Sequence, residues 1–162
     1  MNLSTEAVCR DRLAPIDRAR YAVGPLQDLT DPNREELVRL GQITPFEEGE
    51  VLVRQGTPQN TLYVVLEGSL QVRCSSPYSI IDLAILGRGE SFGEMGLLDP
   101  MKASASVFGK QAGSTWNISR DQLERFARIH PFSGMALFRC LGVSLTRRMR
   151  KSEDRLIRCS ER

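Results

Sequence analysis

A mainly β fold flanked by helices follows from the way the apolar period changes along these 162 residues. Between Ile43 and about Ile118, short apolar runs are cut by glycine-containing turns at Glu48-Gly49, Gln55-Gly56, Glu67-Gly68 and Gly87-Arg88-Gly89. The runs between them, Val51–Arg54, Thr61–Glu67, Leu70–Cys74 and Ile80–Leu86, have strand-like length and β-branched content. Many short strands at even spacing give a sandwich or roll rather than a parallel sheet. Outside this stretch, helix start and stop signals take over.

The elements follow in order. Residues 1–25 lack clean periodicity and read as an N-terminal extension, either a short helix packed on the domain or a loose arm. A helix is signalled over about 31–41, with Asp31 as cap, Pro32 at the first helical position, and Leu37, Val38 and Leu40 as its apolar contacts. After the strands, Ser119-Arg120-Asp121-Gln122 forms a capping box, with Ile118 and Leu123 as the flanking hydrophobic staple. That helix ends at His130, because a residue before proline is pushed out of the helical region. Pro131 then opens a second helix reaching about Arg158. Its apolar seam runs Phe138, Leu141, Leu145, Met149, Leu156 and Cys159, with Ser152 in the same stripe. Such a narrow seam suits a partner copy, although packing on its own domain would look similar. Three segments result: an extension at 1–25, a roll with flanking helices at 26–130, and a long terminal helix at 131–162.

Bulk properties bound the function. With 41% hydrophobic and 26% charged residues, a chain of this length closes a core without staples, burying about 68–70% of its unfolded surface. Cys9, Cys74, Cys140 and Cys159 form no CxxC pair and His130 is the only histidine, so reduced thiols and no metal site are expected. No stretch approaches the roughly 18 apolar residues of a membrane helix. Arg10, Asp11, Arg12, Asp17, Arg18 and Arg20 break up any signal core, so a cytoplasmic protein is expected. The net charge is +2, but from Arg139 onward Arg139, Arg147, Arg148, Arg150, Lys151, Arg155, Arg158 and Arg162 outnumber Glu153, Asp154 and Glu161. That tail raises nucleic acid or an anionic membrane as partners; a solvated helix face is the plainer reading.

No enzyme is expected. His130 sits before a proline at a helix boundary, where a surface or capping role is more usual than a triad. Glu47-Glu48 and Glu35-Glu36 read as turn and helix-surface carboxylates. Trp116 reads as core, and no Gly-Lys-[Ser/Thr] loop follows a strand.

One segment could carry binding chemistry: Ser91-Phe92-Gly93-Glu94-Met95-Gly96-Leu97-Leu98-Asp99-Pro100. Gly93 and Gly96 let backbone come close to a ligand, and a short helix at Glu94–Leu98 would present unpaired N–H groups to an anion. Glu94 would repel a phosphate unless it points elsewhere, for instance at a sugar hydroxyl. A capped turn with a structural glutamate is the plainer alternative.

Residues from about Pro25 to Asp154 resemble the cyclic-nucleotide-binding domain family, which includes the catabolite activator protein and the regulatory subunit of the cAMP-dependent protein kinase. Phe46–Gly56 resembles the family's opening strands, and Leu62–Val72 its central hairpin. Phe92–Leu98, followed by Ser104-Ala105-Ser106-Val107, resembles its phosphate-binding cassette. The resemblance implies an eight-stranded β-roll, jelly-roll-like, with an N-terminal helix and two C-terminal helices. It also implies cAMP or cGMP as candidate ligand. Glu94 falls where the family's glutamate accepts from the ribose 2′-hydroxyl. Phe92, Gly93, Met95, Gly96 and Leu97 fall in the cassette, and Ser104 and Ala105 on the strand below it. Ser152 falls where the activator protein places a hydroxyl against the adenine.

The match departs at Ala103, where the family has the arginine that pairs with the cyclic phosphate. Lys102 lies one residue earlier, and strand alternation points it to the other face unless a bulge redirects it. Hydrogen bonds to charged groups contribute roughly 1.5–3 kcal/mol, so the departure should weaken a cyclic monophosphate by about tenfold to a few hundredfold.

The expected function is thus a non-enzymatic sensor of the cyclic-nucleotide-binding type. With no room after Arg162 for a helix-turn-helix domain, it is expected to signal by docking on another regulatory or effector protein, with a homodimer through the terminal helix as a further option. The alternative is a fold that has given up the cyclic nucleotide and acts as an interaction module. A different anionic ligand, such as a cyclic dinucleotide bound through Arg147, Arg148 or Arg150, lies between these. Nucleic acid ranks last.

Overall fold

The computed structural model describes residues 18–160; the readings made for residues 1–17, Cys9 among them, and for Arg162 lie outside the described residues, as does the side chain of Cys159. The chain opens with α1 (Arg18–Tyr21), a 3-10 turn at Gly24–Leu26, and α2 (Asp31–Leu40). Strands β1 (Gln42–Phe46), β2 (Val51–Val53), β3 (Thr61–Ser75), β4 (Ile80–Leu86) and β5 (Ser91–Phe92) follow, then the short helix α3 (Glu94–Leu98). Strand β6 (Ser106–Ser119) leads into α4 (Arg120–Ile129) and the long α5 (Pro131–Ser160). Every strand pairing is antiparallel: the order is β1-β6-β3-β4, with β2 also on β6 and β5 on β3.

This is the expected roll, but drawn with six strands rather than eight. The runs Thr61–Glu67 and Leu70–Cys74, expected as two strands, are one. The pairing register slips between Val65 and Leu70, where Gly68 takes φ +75. The Glu67-Gly68 pair therefore bends a continuous strand instead of ending it. A Cβ on Gly68 would lie 2.5 Å from the Ala112 carbonyl oxygen, so only glycine lets the bent strand cross its partner this closely.

Two apolar clusters hold the molecule. Leu26, Leu37, Leu62, Leu66, Trp116, Phe126, Leu137 and Leu141 join the helices to one face of the sheet, all fully buried. Phe46, Val53, Val65, Leu70, Leu86, Phe92 and Val107 fill the interior of the roll. Alternation on β3 feeds both, since Leu62, Val64 and Leu66 point to the first cluster and Val65 to the second. Trp116 is core as expected, and its buried indole N–H is paired, donating to the Val38 carbonyl at 3.1 Å.

Helix α2 differs from expectation at its start. The capping position is Thr30, and Asp31 lies in the first turn, where its carboxylate accepts from Arg34 at 2.7 Å. The buried Arg34 guanidinium also donates to the carbonyls of Leu26, Gln27 and Leu29. It thereby satisfies the backbone of the 3-10 turn and the loop after it, which no ladder pairs.

At α4 the capping box forms as expected. The Gln122 amide donates to the Ser119 hydroxyl at 3.4 Å, and the Ser119 amide to the Gln122 side chain at 3.2 Å. Ser119→Ala is expected to cost about 1 kcal/mol in chemical denaturation, as N-cap losses do; no change in the midpoint would mean the box is ornamental. Helix α5 starts at Pro131 and buries Leu137 and Leu141, with Phe138 half-buried beside them. Farther along, Met149, Leu156 and Ile157 are exposed, so the expected seam splits into a docked first half and a bare second half. No helix among the described residues is long and apolar enough to cross a membrane.

Candidate ligand site

The site is built where β5 hands over to α3. Phe92 stacks on Tyr63 of β3, rings parallel with centroids 4.6 Å apart, and the chain then turns through Gly93 at φ +85. A Cβ on Gly93 would stand 2.1 Å from the Thr61 carbonyl oxygen, and one on Gly96 would stand 2.5 Å from that of Gln59. The space these glycines free is taken by the chain's own backbone at 59–61. Their structural work is to press the cassette against β3 and the loop before it.

That pressing buries Glu94, the first residue of α3, to 2% exposure. One carboxylate oxygen accepts from Arg148 of α5 at 2.7 Å; the other is buried with no hydrogen-bond partner. The second Arg148 nitrogen donates to the Ser91 carbonyl. Burial pushes the Glu94 carboxyl above its ordinary pKa, and the Arg148 charge pulls against it. Arg120, first residue of α4, donates to the Gly96 carbonyl. Both C-terminal helices therefore hold the cassette through a guanidinium, one at each end.

Beside the cassette lies a cavity of about 370 Å³. Of the site residues expected from sequence, Phe92, Gly93, Glu94, Met95, Gly96, Lys102, Ala103, Ser104 and Ala105 all line it. Leu97 instead packs into the first apolar cluster, and Ser152 is exposed, its hydroxyl donating to the Arg148 carbonyl at 3.1 Å. Ala103 packs against the cluster inside the roll, in line with buried Ala105 and Val107. Its amide donates to Thr57 and its carbonyl accepts from Gly56, each at 2.8 Å. Lys102 is exposed and reaches the rim.

Gln59, Leu145 and Arg148 are among the other residues of the lining. The sequence marks Arg148 only as one of the basic residues of the tail and of the trio Arg147, Arg148 and Arg150. The structure separates that trio: Arg147 lines a second cavity, of about 310 Å³, with the half-buried Cys140, Arg148 borders both, and Arg150 neither. Among the described residues, no cluster of three or more His, Cys, Asp or Glu side chains could hold a metal ion.

Residues 43–130 match the model of the cyclic nucleotide-binding domain. The chain belongs to that family. This cyclic nucleotide-binding domain is 28% identical over 124 residues to glutaminase 2 of Bradyrhizobium diazoefficiens, covering 76% of the chain and 19% of that protein. The chain thus spans about a fifth of the length of that curated relative. A cyclic nucleotide-binding domain from Methylobacillus flagellatus superposes with TM-score 0.76 at 28% identity, over 80% of this chain and 74% of that one. The regulatory subunit of a cAMP-independent protein kinase A from Trypanosoma cruzi, bound to guanosine, shares the fold with TM-score 0.63 at 21% identity, over 76% and 44%. The fold is that of regulatory sensor modules.

Proposed function

We propose that this domain is a non-enzymatic sensor whose ligand enters the cassette cavity and is held by a ribose hydroxyl on Glu94. The observation that carries the reading is Glu94, a residue of the cavity lining whose second carboxylate oxygen is buried without a hydrogen-bond partner. Candidate ligands are cAMP, cGMP and, following the Trypanosoma cruzi neighbour, a nucleoside.

The signal leaves through the helices. Arg120 and Arg148 tie the cassette to α4 and α5, so a ligand that reshapes the cassette biases how those helices dock. The exposed Met149, Leu156 and Ile157 of α5 lie on the helix whose Arg155 donates to the Leu83 carbonyl of β4. Exposed Ile81, Leu83 and Ile85 of β4 extend this apolar surface. It suits a second copy of the chain or an effector protein, in a cytoplasmic setting.

Calorimetric titration of the stripped protein with these ligands tests the reading. Binding of at least one, abolished by Glu94→Ala and accompanied by slowed hydrogen exchange at 91–98 and in α5, is expected. If every ligand gives no heat while the fold stays intact, the domain is an interaction module instead, as Ala103 would then suggest.

A further inference from the structure

Among the described residues, four charged side chains line the cavity: Glu94, Asp99, Lys102 and Arg148. Two are acidic and two basic, so the lining is formally neutral before a ligand arrives. Arg148 is already committed to Glu94 and to the Ser91 carbonyl. Lys102 is exposed at a rim it shares with the exposed Asp99. Ala103 offers a methyl group packed on the apolar cluster of Phe46 and Val107. A phosphate entering here would give up its water beside a buried carboxylate, with Arg148 already engaged and only the single ammonium of exposed Lys102 to meet it in place of an arginine fork.

The demand of the site is of the opposite kind. While Glu94 is ionised its unpartnered oxygen accepts only, so it is matched by a hydroxyl and opposed by a phosphate oxygen. Val53, Val72 and Leu145 give the cavity apolar walls suited to a flat base. Its volume of about 370 Å³ lies at the small end of the roughly 300–1,000 Å³ usual for ligand sites, which suits one nucleoside and not a dinucleotide.

From this we propose that the cavity takes an uncharged nucleoside through its ribose hydroxyls, and discriminates against the cyclic phosphate. The inference rests on the ribose reading above and names its ligand class.

The test titrates the full, ligand-stripped chain by calorimetry with guanosine, adenosine, 2′-deoxyguanosine, cAMP, cGMP and cyclic di-GMP. A nucleoside should bind about tenfold or more tightly than its own cyclic 3′,5′-phosphate, and 2′-deoxyguanosine about tenfold more weakly than guanosine. Ala103→Arg should then shift the preference toward the cyclic phosphate by about tenfold to a few hundredfold. A cyclic nucleotide or dinucleotide that outbinds the nucleosides in the unaltered protein overturns the inference and leaves the ribose reading standing. Binding that ignores removal of the 2′-hydroxyl, or no heat from any of the six with the circular dichroism of a folded chain, overturns both.

Discussion

Arg148→Ala is expected to destabilise the protein by about 2–3 kcal/mol at pH 7, and by less as the pH falls toward the ordinary carboxyl range. Breaking a buried ion pair from one side typically costs about 3–5 kcal/mol, because the charge left behind has neither water nor partner. Here the stranded group is Glu94, with a side chain 3% exposed, while the Arg148 side chain is 32% exposed, so the full figure is discounted. Glu94 also has an escape: it can take up a proton. Its pKa is already raised by burial in the presence of Arg148, and removing the opposing cation raises it further.

The sign of the pH dependence follows. Between the unfolded pKa and the raised folded one, the native state binds more protons than the unfolded state. Stability therefore falls as pH rises through that window and is recovered on acidification. The window starts at the ordinary carboxyl value and widens in the variant. Urea midpoints of the wild type, Arg148→Ala, Glu94→Gln and the double variant at several pH values measure it. The double variant should cost less than the sum of the singles, since the amide leaves no charge to strand. A cost of Arg148→Ala that does not change with pH would mean that its bond to the Ser91 carbonyl, and not the ion pair, is what matters.

Local pattern made much of this molecule legible in advance. The capping box at Ser119, the restart at Pro131, the core position of Trp116 and the cassette itself are all written within a few neighbouring residues. What the sequence left hidden is joined across distance or by geometry. Glu94 and Arg148 stand 54 positions apart, and the periodicity of α5 marks Arg148 only as a polar residue beside an apolar seam. Nothing in the sequence marks Arg34 as buried, because apart from Asp31 its partners are backbone carbonyls that no side-chain pattern encodes. The merging of two expected strands into β3 turned on Gly68, since a Glu-Gly pair serves equally as a turn or as a bend. In the sequence Gly93 and Gly96 suggest room for a ligand; the nearest atoms to their missing side chains are the chain's own carbonyls.

Gly93→Ala separates those roles and carries the largest expected cost. At φ +85 a non-glycine residue is strained by about 1–2 kcal/mol. A second cost comes from contact, because the new Cβ would lie 2.1 Å from the Thr61 carbonyl oxygen. Backbone cannot swing aside as a flexible side chain can, so the cassette must retreat from β3. Retreat unstacks Phe92 from Tyr63 and draws Glu94 away from Arg148. The total should reach about 4 kcal/mol or more, a large share of the roughly 5–15 kcal/mol that holds a domain together. Gly49→Ala supplies the comparison: Gly49 has nearly the same φ, +81, but nothing lies within 4 Å of the added carbon. It should show the conformational cost alone, about 1–2 kcal/mol. Denaturation midpoints of the two variants isolate the contact by subtraction. Equal losses would show that the cassette can yield at Thr61, and with it that the path from ligand to α5 is slack at its first joint.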